Sequence, residues 1–244
     1  MKIECLPIKT RAFLPPQDNI YPVIMDALPQ LYENDVLIVT SKIVAIHQGR
    51  CIPIHEILNK DDLIQAEAEY FIPRSEVPFE AVVLTLKENT LIPSAGIDES
   101  NADGHYILWP KESSAFAKEL CLELKKKYHL TNLAVIITDS HTVPLRWGVL
   151  GCAIGFYGLE PLYDYRGKQD IFGRELKMTQ QNIVDALAVL SVACMGEGNE
   201  QTPLAIIRGA HFVKFTTEDT YHKFIIPKEE DIYKPLLDRF HYDK

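Results

Sequence analysis

Apolar residues in this chain fall either into short unbroken runs or into stripes four residues apart, and the two patterns predict different elements. Val36 to Val39 in "ENDVLIVTSKIVAIHQGR", Glu80 to Lys87 ("EAVVLTLK"), Leu133 to Ser140 ("LAVIITDS") and Pro203 to Gly209 ("PLAIIRG") are runs rich in β-branched residues. They read as strands, the first opened by the turn signal Asn34-Asp35 and followed by a second apolar segment. The stripes are helical. Residues 114–128 place Phe116, Leu120 and Leu124 four apart, with Ser114 as N-cap and Glu123 to Lys127 as an i,i+4 pair. Residues 180–194 align Ile183, Leu187, Leu190 and Cys194, with Thr179 as cap. Each helix leads into a strand, so the fold class is α/β in the broad sense (mixed α+β), with the sheet order left open.

Between the two helices, "PLRWGVLGCAIGFYGLEPLYDYRGKQDIFGRE" carries six of the twelve glycines, at 148, 151, 155, 158, 167 and 173. Such density marks backbone that needs positive φ or close approach to a strand, a ligand or a subunit. Neither GxGxxG nor GxxxxGK[ST] occurs, which removes the dinucleotide fingerprint and the P-loop. Without repeats or a linker, 244 residues read as a single domain, 1–244, with two lobes near 1–130 and 131–244 as the variant.

Composition narrows the class. Hydrophobic content of 47% with 24% charged residues is that of a soluble globular protein. No run approaches the ~20 apolar residues that span a bilayer, and "MKIECLPIKTR" lacks the apolar core of a signal peptide. A cytoplasmic location is expected, with no membrane partner. Five cysteines without a CxxC read as small buried hydrophobes, Cys152 and Cys194 in core. The net charge of −9 argues against nucleic acid. The basic run Lys125 to Lys127 closes a helix, where cations favour the dipole.

Candidate chemistry gathers in three acidic loops. "SAGIDESN" offers Asp98, Ser100 and Asn101, "VIITDSHT" ends a strand on Asp139 and Ser140, and "MGEGNEQTP" holds Glu197 and Glu200. Carboxylates and hydroxyls at strand ends suit Mg²⁺ or Mn²⁺, and equally suit plain Asx and Ser turns. Arg146, Arg166 and Arg174 are the candidate catalytic cations for phosphate or carboxylate groups, against simple pairing with Asp164 or Asp170. His47, His141 and His211 lack defined partners and read as structural.

Taken in order, "GIDESN", "VIITDS", "PLRWG", "AIGFYGLEPLYDYRGKQDIFGRELKMT", "CMGEG" and "TPLAIIRG" resemble the coenzyme F-420 gamma-glutamyl ligase family, most strongly from Gly96 to Gly209. The resemblance implies an intertwined homodimer with the fold of that family, 147–173 being a reasonable dimer surface. It also implies a GTP-dependent ligase that joins L-glutamate to the deazaflavin coenzyme through an acyl phosphate. Two Mg²⁺ or Mn²⁺ ions and K⁺ would be cofactors, with GTP as co-substrate. Carried over by position, Asp98 and Asp139 look like ligands of one divalent cation, and Ser140 and Glu197 of a second. Ser41, Lys42 and Asn101 look like nucleotide contacts. Leu6, Pro7, Ile8 and Lys9 of "CLPIK", with Gly196 and Gly198, occupy the other nucleotide-binding segments.

Two departures stand out. Where the family commonly reads "SKAEGR", this chain reads "AIHQGR", so Ile46 replaces a lysine and Gln48 a glutamate. A charge-assisted contact worth roughly 1.5–3 kcal/mol is missing unless His47 supplies it. The opening "IKTRAFLPPQDNIY" also differs from the family's glutamate-isoleucine, proline-glycine-aspartate start. Three functions stay open: the named ligase, the same chemistry on another acceptor acid, and a non-catalytic nucleotide- or metal-binding regulator.

Overall fold

The computed structural model describes residues 2–240; Met1 and 241–244, the ends of the expected 1–244 domain, lie outside the described residues. The chain opens with β1 (Glu4–Ile8), α1 (Ile20–Ala27), β2 (Asp35–Thr40) and α2 (Ser41–His47). Then come β3 (Cys51–Pro53), α3 (Lys60–Glu67), β4 (Tyr70–Ile72), β5 (Leu84–Lys87), β6 (Thr90–Pro93) and β7 (His105–Ile107). Next are α4 (Ser113–Tyr128), β8 (Leu133–His141), β9 (Leu150–Tyr157), β10 (Leu162–Asp164) and β11 (Gln180–Asn182). The last elements are α5 (Ile183–Met195), β12 (Leu204–Arg208) and α6 (Lys234–Leu237).

A central sheet of order β1-β12-β2-β8-β9 organises the molecule, antiparallel except for the parallel pair β2 and β8. Both its faces are covered, which is why its strands read as unbroken apolar runs. Leu37, Val39, Val135 and Ile137 face a cluster with Ile24, Ile43, Phe116 and Leu120 from α1, α2 and α4. Val36, Ile38, Ala134 and Ile136 face Ile183, Val184 and Leu187 of α5. A third cluster, around Ile64, Val83, Ile97 and Tyr106, belongs to the peripheral elements between α2 and α4. Because β2 pairs with β8, the central sheet draws on both sides of residue 130.

The register of β8 on β9 shifts between Ile137 and Thr138, which pair with Gly155 and Ala153. Skipping Ile154 changes which face the next residues meet. A Cβ at Gly151 would lie 2.4 Å from the Ala188 carbonyl oxygen on α5, whereas one at Gly155 would lie 2.5 Å from Ser113 at the start of α4. These two glycines let helices seat closely on opposite faces of one strand.

Several sequence expectations are corrected here. Residues 180–182 form β11, paired with β10, and Asn182 caps α5 by accepting from the Asp185 N–H at 3.1 Å. The buried face of α5 is Ile183, Val184, Leu187, Ala188, Ser191 and Met195, so Cys194 is exposed while Cys152 is buried. Helix α4 begins after Glu112, in left-handed backbone without a side-chain cap, and Ser114 Oγ accepts from the Phe156 N–H instead. The strand expected over 80–87 is only Leu84–Lys87, because Arg74 Nη1 holds the Glu80 and Ala81 carbonyls at 3.0 and 2.9 Å in a turn. No described helix is long and apolar enough to cross a membrane.

Candidate active site

A cavity of about 540 Å³ opens at the carboxyl ends of β2 and β8, where open α/β sheets commonly receive ligands. Strand β2 delivers Thr40, then Ser41 and Lys42; β8 delivers Thr138, Asp139 and Ser140; the 96–101 loop brings Asp98 and Asn101. The loop after α5 closes the other side with Gly196, Glu197 and Gly198. Three acidic loops far apart in sequence thus converge. Asn101 Nδ2 donates to the Gly198 carbonyl at 2.9 Å, joining two of them directly. Gly196 has φ +81, and a Cβ there would lie 2.5 Å from the Glu200 carboxyl carbon.

Lys42 Nζ lies 2.5 Å from Asp98 Oδ2 and donates to the Ser100 carbonyl at 2.8 Å. Asp98 Oδ1 accepts from the Ser100 N–H at 2.7 Å, so an Asx turn and a cavity-lining carboxylate coexist in "GIDESN". Burial works to raise the Asp98 pKa, but Lys42 and the Ser100 donors override it and the net shift is downward. Asp139 goes the other way: desolvation pushes it up to about 6, although Ser140, Trp109 and Ser41 donate to it. Glu197 is also raised, by burial first, with Lys42 and the Ser140 hydroxyl opposing. The site therefore holds carboxylates whose charged forms lack enough compensation, a setting that a cation relieves.

The donor set fits a hard cation shared with a phosphate-bearing ligand. Among the described residues, no three His, Cys, Asp or Glu side chains form a cage of their own. Mg²⁺ and Mn²⁺ rarely need one, since one or two carboxylates plus phosphate and water oxygens complete their shell. The Lys42 ammonium already marks a cation position at Asp98. Thr138 Oγ1, fully buried and lining the cavity, has no hydrogen-bond partner among the described residues.

Residues 8–209 match the model of the F420-0:Gamma-glutamyl ligase family. The chain belongs to that family. It is 32% identical to a coenzyme F420:L-glutamate ligase of Methanosarcina barkeri, over 97% of both chains. It is also 32% identical to one of Methanopyrus kandleri, over 86% of this chain and 87% of the relative. Against the ligase of Methanococcus maripaludis, identity is 39% over 63% of this chain and 60% of the relative.

Within this F420-0:gamma-glutamyl ligase family member, the cavity gathers Ser41, Lys42, Asp98, Asn101, Asp139, Ser140, Gly196, Glu197 and Gly198 from the sequence reading. Other expected residues lie elsewhere. Leu6, Pro7 and Ile8 belong to the edge strand β1, and Lys9 follows it; the amino-terminal wall is instead Thr10 to Leu14. Arg146, Arg166 and Arg174 do not line the cavity of their own chain. Arg166 is held by Asp164 in a bidentate pair at 2.6–3.0 Å, Arg146 donates to the Leu145 carbonyl, and the Arg174 backbone N–H donates to Asp170. The cations in the wall are Lys42 and Arg11, the latter paired with Asp18 at 2.5 Å.

The "AIHQGR" departure resolves in detail. Ile46 is 2% exposed, part of the core and of the cavity wall. His47 does not replace the lysine: its Nδ1 accepts from the Ile20 N–H at 3.4 Å and its ring packs against Tyr21 and Phe116. Gln48 clamps the backbone of Lys111, accepting from its N–H at 2.8 Å and donating to its carbonyl at 2.9 Å. Arg11, Trp109 and Thr138 escaped the sequence reading. Only Trp109 carried a signal, since a buried indole N–H needs an acceptor.

Proposed function

We propose that this chain is a GTP-dependent amide ligase that adds L-glutamate, through a γ-glutamyl linkage, to coenzyme F420-0 or a closely similar acid. The observation that supports it is the convergence of the three acidic loops, Ser41 and Lys42 on one cavity, in a chain of this family. In this reading an acceptor carboxylate oxygen attacks the γ-phosphorus of GTP, and the bond to the β-phosphate oxygen breaks. The acyl phosphate then loses inorganic phosphate as the glutamate nitrogen, after giving up a proton, attacks the acyl carbon. Two divalent cations, held by Asp98 and Asp139 and by Ser140 and Glu197, with K⁺ as an accessory ion, would supply charge neutralisation to the phosphates. Lys42 and Arg11 serve as fixed positive groups for phosphate or carboxylate oxygens. Asn101 and the 196–198 backbone position the nucleotide, and the apolar wall of Phe13, Ile46 and Trp109 excludes water from the reacting centre.

The proposal includes a homodimer. Leu145, Trp147, Ile171, Phe172 and Met178 are each between 85% and 104% exposed, the first two in the loop between β8 and β9 and the other three in the loop between β10 and β11. Large apolar side chains exposed on these two loops support a subunit contact. Arg146 lies on the first of these loops and Arg166 and Arg174 on the second, and they keep a catalytic role only if the loops reach a neighbouring chain's cavity.

Ile46 favours a second reading, in which the same chemistry acts on a different acceptor acid. Mass spectrometry separates the two. The mixture holds protein, GTP, Mn²⁺, K⁺, L-glutamate and coenzyme F420-0. A product heavier by one glutamyl unit, formed in step with GDP and lost in Asp139→Ala, is the expected result. Turnover only with another carboxylic acid selects the second reading, and GTP binding without turnover on any acid leaves a regulator.

A further inference from the structure

Trp109 is 1% exposed, and its indole lies in the wall of the cavity. The indole N–H donates to Asp139 Oδ2, while Asp139 Oδ1 accepts from the Ser140 N–H at 2.7 Å. Each carboxylate oxygen is therefore fixed by one N–H, the Ser41 hydroxyl also donates to the carboxylate, and what lone-pair capacity remains is left for the cavity. The indole can reach this position only because residue 96 has no side chain. A Cβ at Gly96 would fall 2.1 Å from the Trp109 Nε1 and 2.4 Å from Cδ1.

The backbone carrying Trp109 is pinned on both sides. Arg50 Nε donates to the Trp109 carbonyl at 3.1 Å, and the Leu108 N–H donates to the Arg50 carbonyl at 2.9 Å. Arg50 is held in turn by Glu67 at 2.6 Å, which also binds the buried Lys87 at 2.7 Å. Two residues further on, the Gln48 amide clamps Lys111. Gln48 and Arg50 of "AIHQGR" thus hold the tryptophan segment in place and do not line the cavity themselves.

We propose that Trp109 is a positioning residue for Asp139, and that its indole N–H, admitted by Gly96 and braced by Gln48 and Arg50, sets the affinity of the site for a divalent cation. The inference rests on the cation reading above. A carboxylate ligand held by an outer hydrogen bond loses orientation when that bond is removed, and such losses weaken metal binding by about 10- to 100-fold.

The test uses Mn²⁺ alone as probe. Free Mn²⁺ is counted by electron paramagnetic resonance for the wild type, Trp109→Phe, Gly96→Ala and Asp139→Asn, with the thermal midpoint recorded for each. In parallel, indole emission is followed in Trp147→Phe, which leaves Trp109 as the sole tryptophan. The expected result is Mn²⁺ quenching of that emission, absent when Asp139→Asn is added. Trp109→Phe and Gly96→Ala should each bind Mn²⁺ about 10- to 100-fold more weakly. Should either variant fail to fold, the quenching measurement still stands, because it keeps Trp109 and the Gly96 backbone intact. Wild type and Asp139→Asn binding Mn²⁺ equally, or neither binding it, would sink the cation reading and this inference with it. Binding that requires Asp139 but stays within twofold of wild type in folded Trp109→Phe, or that leaves the indole unquenched, overturns the role of Trp109 alone.

Discussion

Asp139 carries the plainest cost at the residue scale. Its side chain sits against the apolar wall, and desolvation raises its pKa to about 6 from an unperturbed value of 3.8. Between those values the folded chain binds a proton that the unfolded chain has released, so this group's contribution to stability falls as pH rises from about 4 to 6. Asparagine does not titrate. With chelator present, the unfolding free energy of Asp139→Asn relative to wild type should improve by about 2–3 kcal/mol between pH 4 and pH 7. Denaturant titrations at the two pH values check it, and a pH-independent difference would place the carboxylate in a more solvated setting. Lys42 shows the reverse, since its ion pair with Asp98 keeps that carboxylate charged. One loop is neutralised from within the chain, and Asp139 waits for something from outside it.

At the element scale, close packing on β9 sets what its sequence can be. Gly155 lies against Ser113 and Gly151 against Ala188, on opposite faces because the register shifts between Ile137 and Thr138. Gly155→Ala should destabilise the fold by about 1–3 kcal/mol, because the nearest atoms are backbone and cannot swing aside. A loss below 0.5 kcal/mol in urea unfolding would mean that α4 can lift off the strand. The capping of α5 by Asn182 follows from the same region: β11 ends at Asn182, and the Asp185 carboxylate that the cap organises accepts from the Ala153 N–H at 2.8 Å. Strand, cap and helix are one unit there. A helical period that extends through residues 180–182 misses this, because pairing with β10 outweighs local propensity.

For the whole molecule, the question is what covers the loops between β8 and β9 and between β10 and β11. Their exposed apolar side chains predict self-association. Sedimentation at micromolar concentration should return twice the chain mass, and the double variant Trp147→Asp/Phe172→Asp should return the monomer. A wild-type monomer would remove the dimer from the proposal, together with any role for Arg146, Arg166 and Arg174 at the cavity. The net charge of −9 bears on the same scale, since local cations such as Lys42 and Arg11 must hold anionic substrates against a repelling background.

By itself, the sequence determined the strands β2, β8 and β12, the helix α4 and the acidic loops at 98–101, 139–140 and 197. Each is specified by neighbours within a few residues: β-branched runs fill a sheet buried on both faces, a four-residue stripe fills one helix face, and polar residues end a strand where water or a ligand begins. Tertiary structure alone decided which side chains meet. Asn101 reaches Gly198, Arg11 enters the wall while Lys9 stays just past the edge strand β1, and the indole of Trp109 reaches Asp139 across the backbone of Gly96. It also kept Arg166 with Asp164 and turned His47 toward Tyr21. Those pairings depend on the order of strands in the sheet and on a one-residue register shift. Period and composition carry no information about either, because a bulge moves side chains from one face to the other without altering the pattern of residues around it.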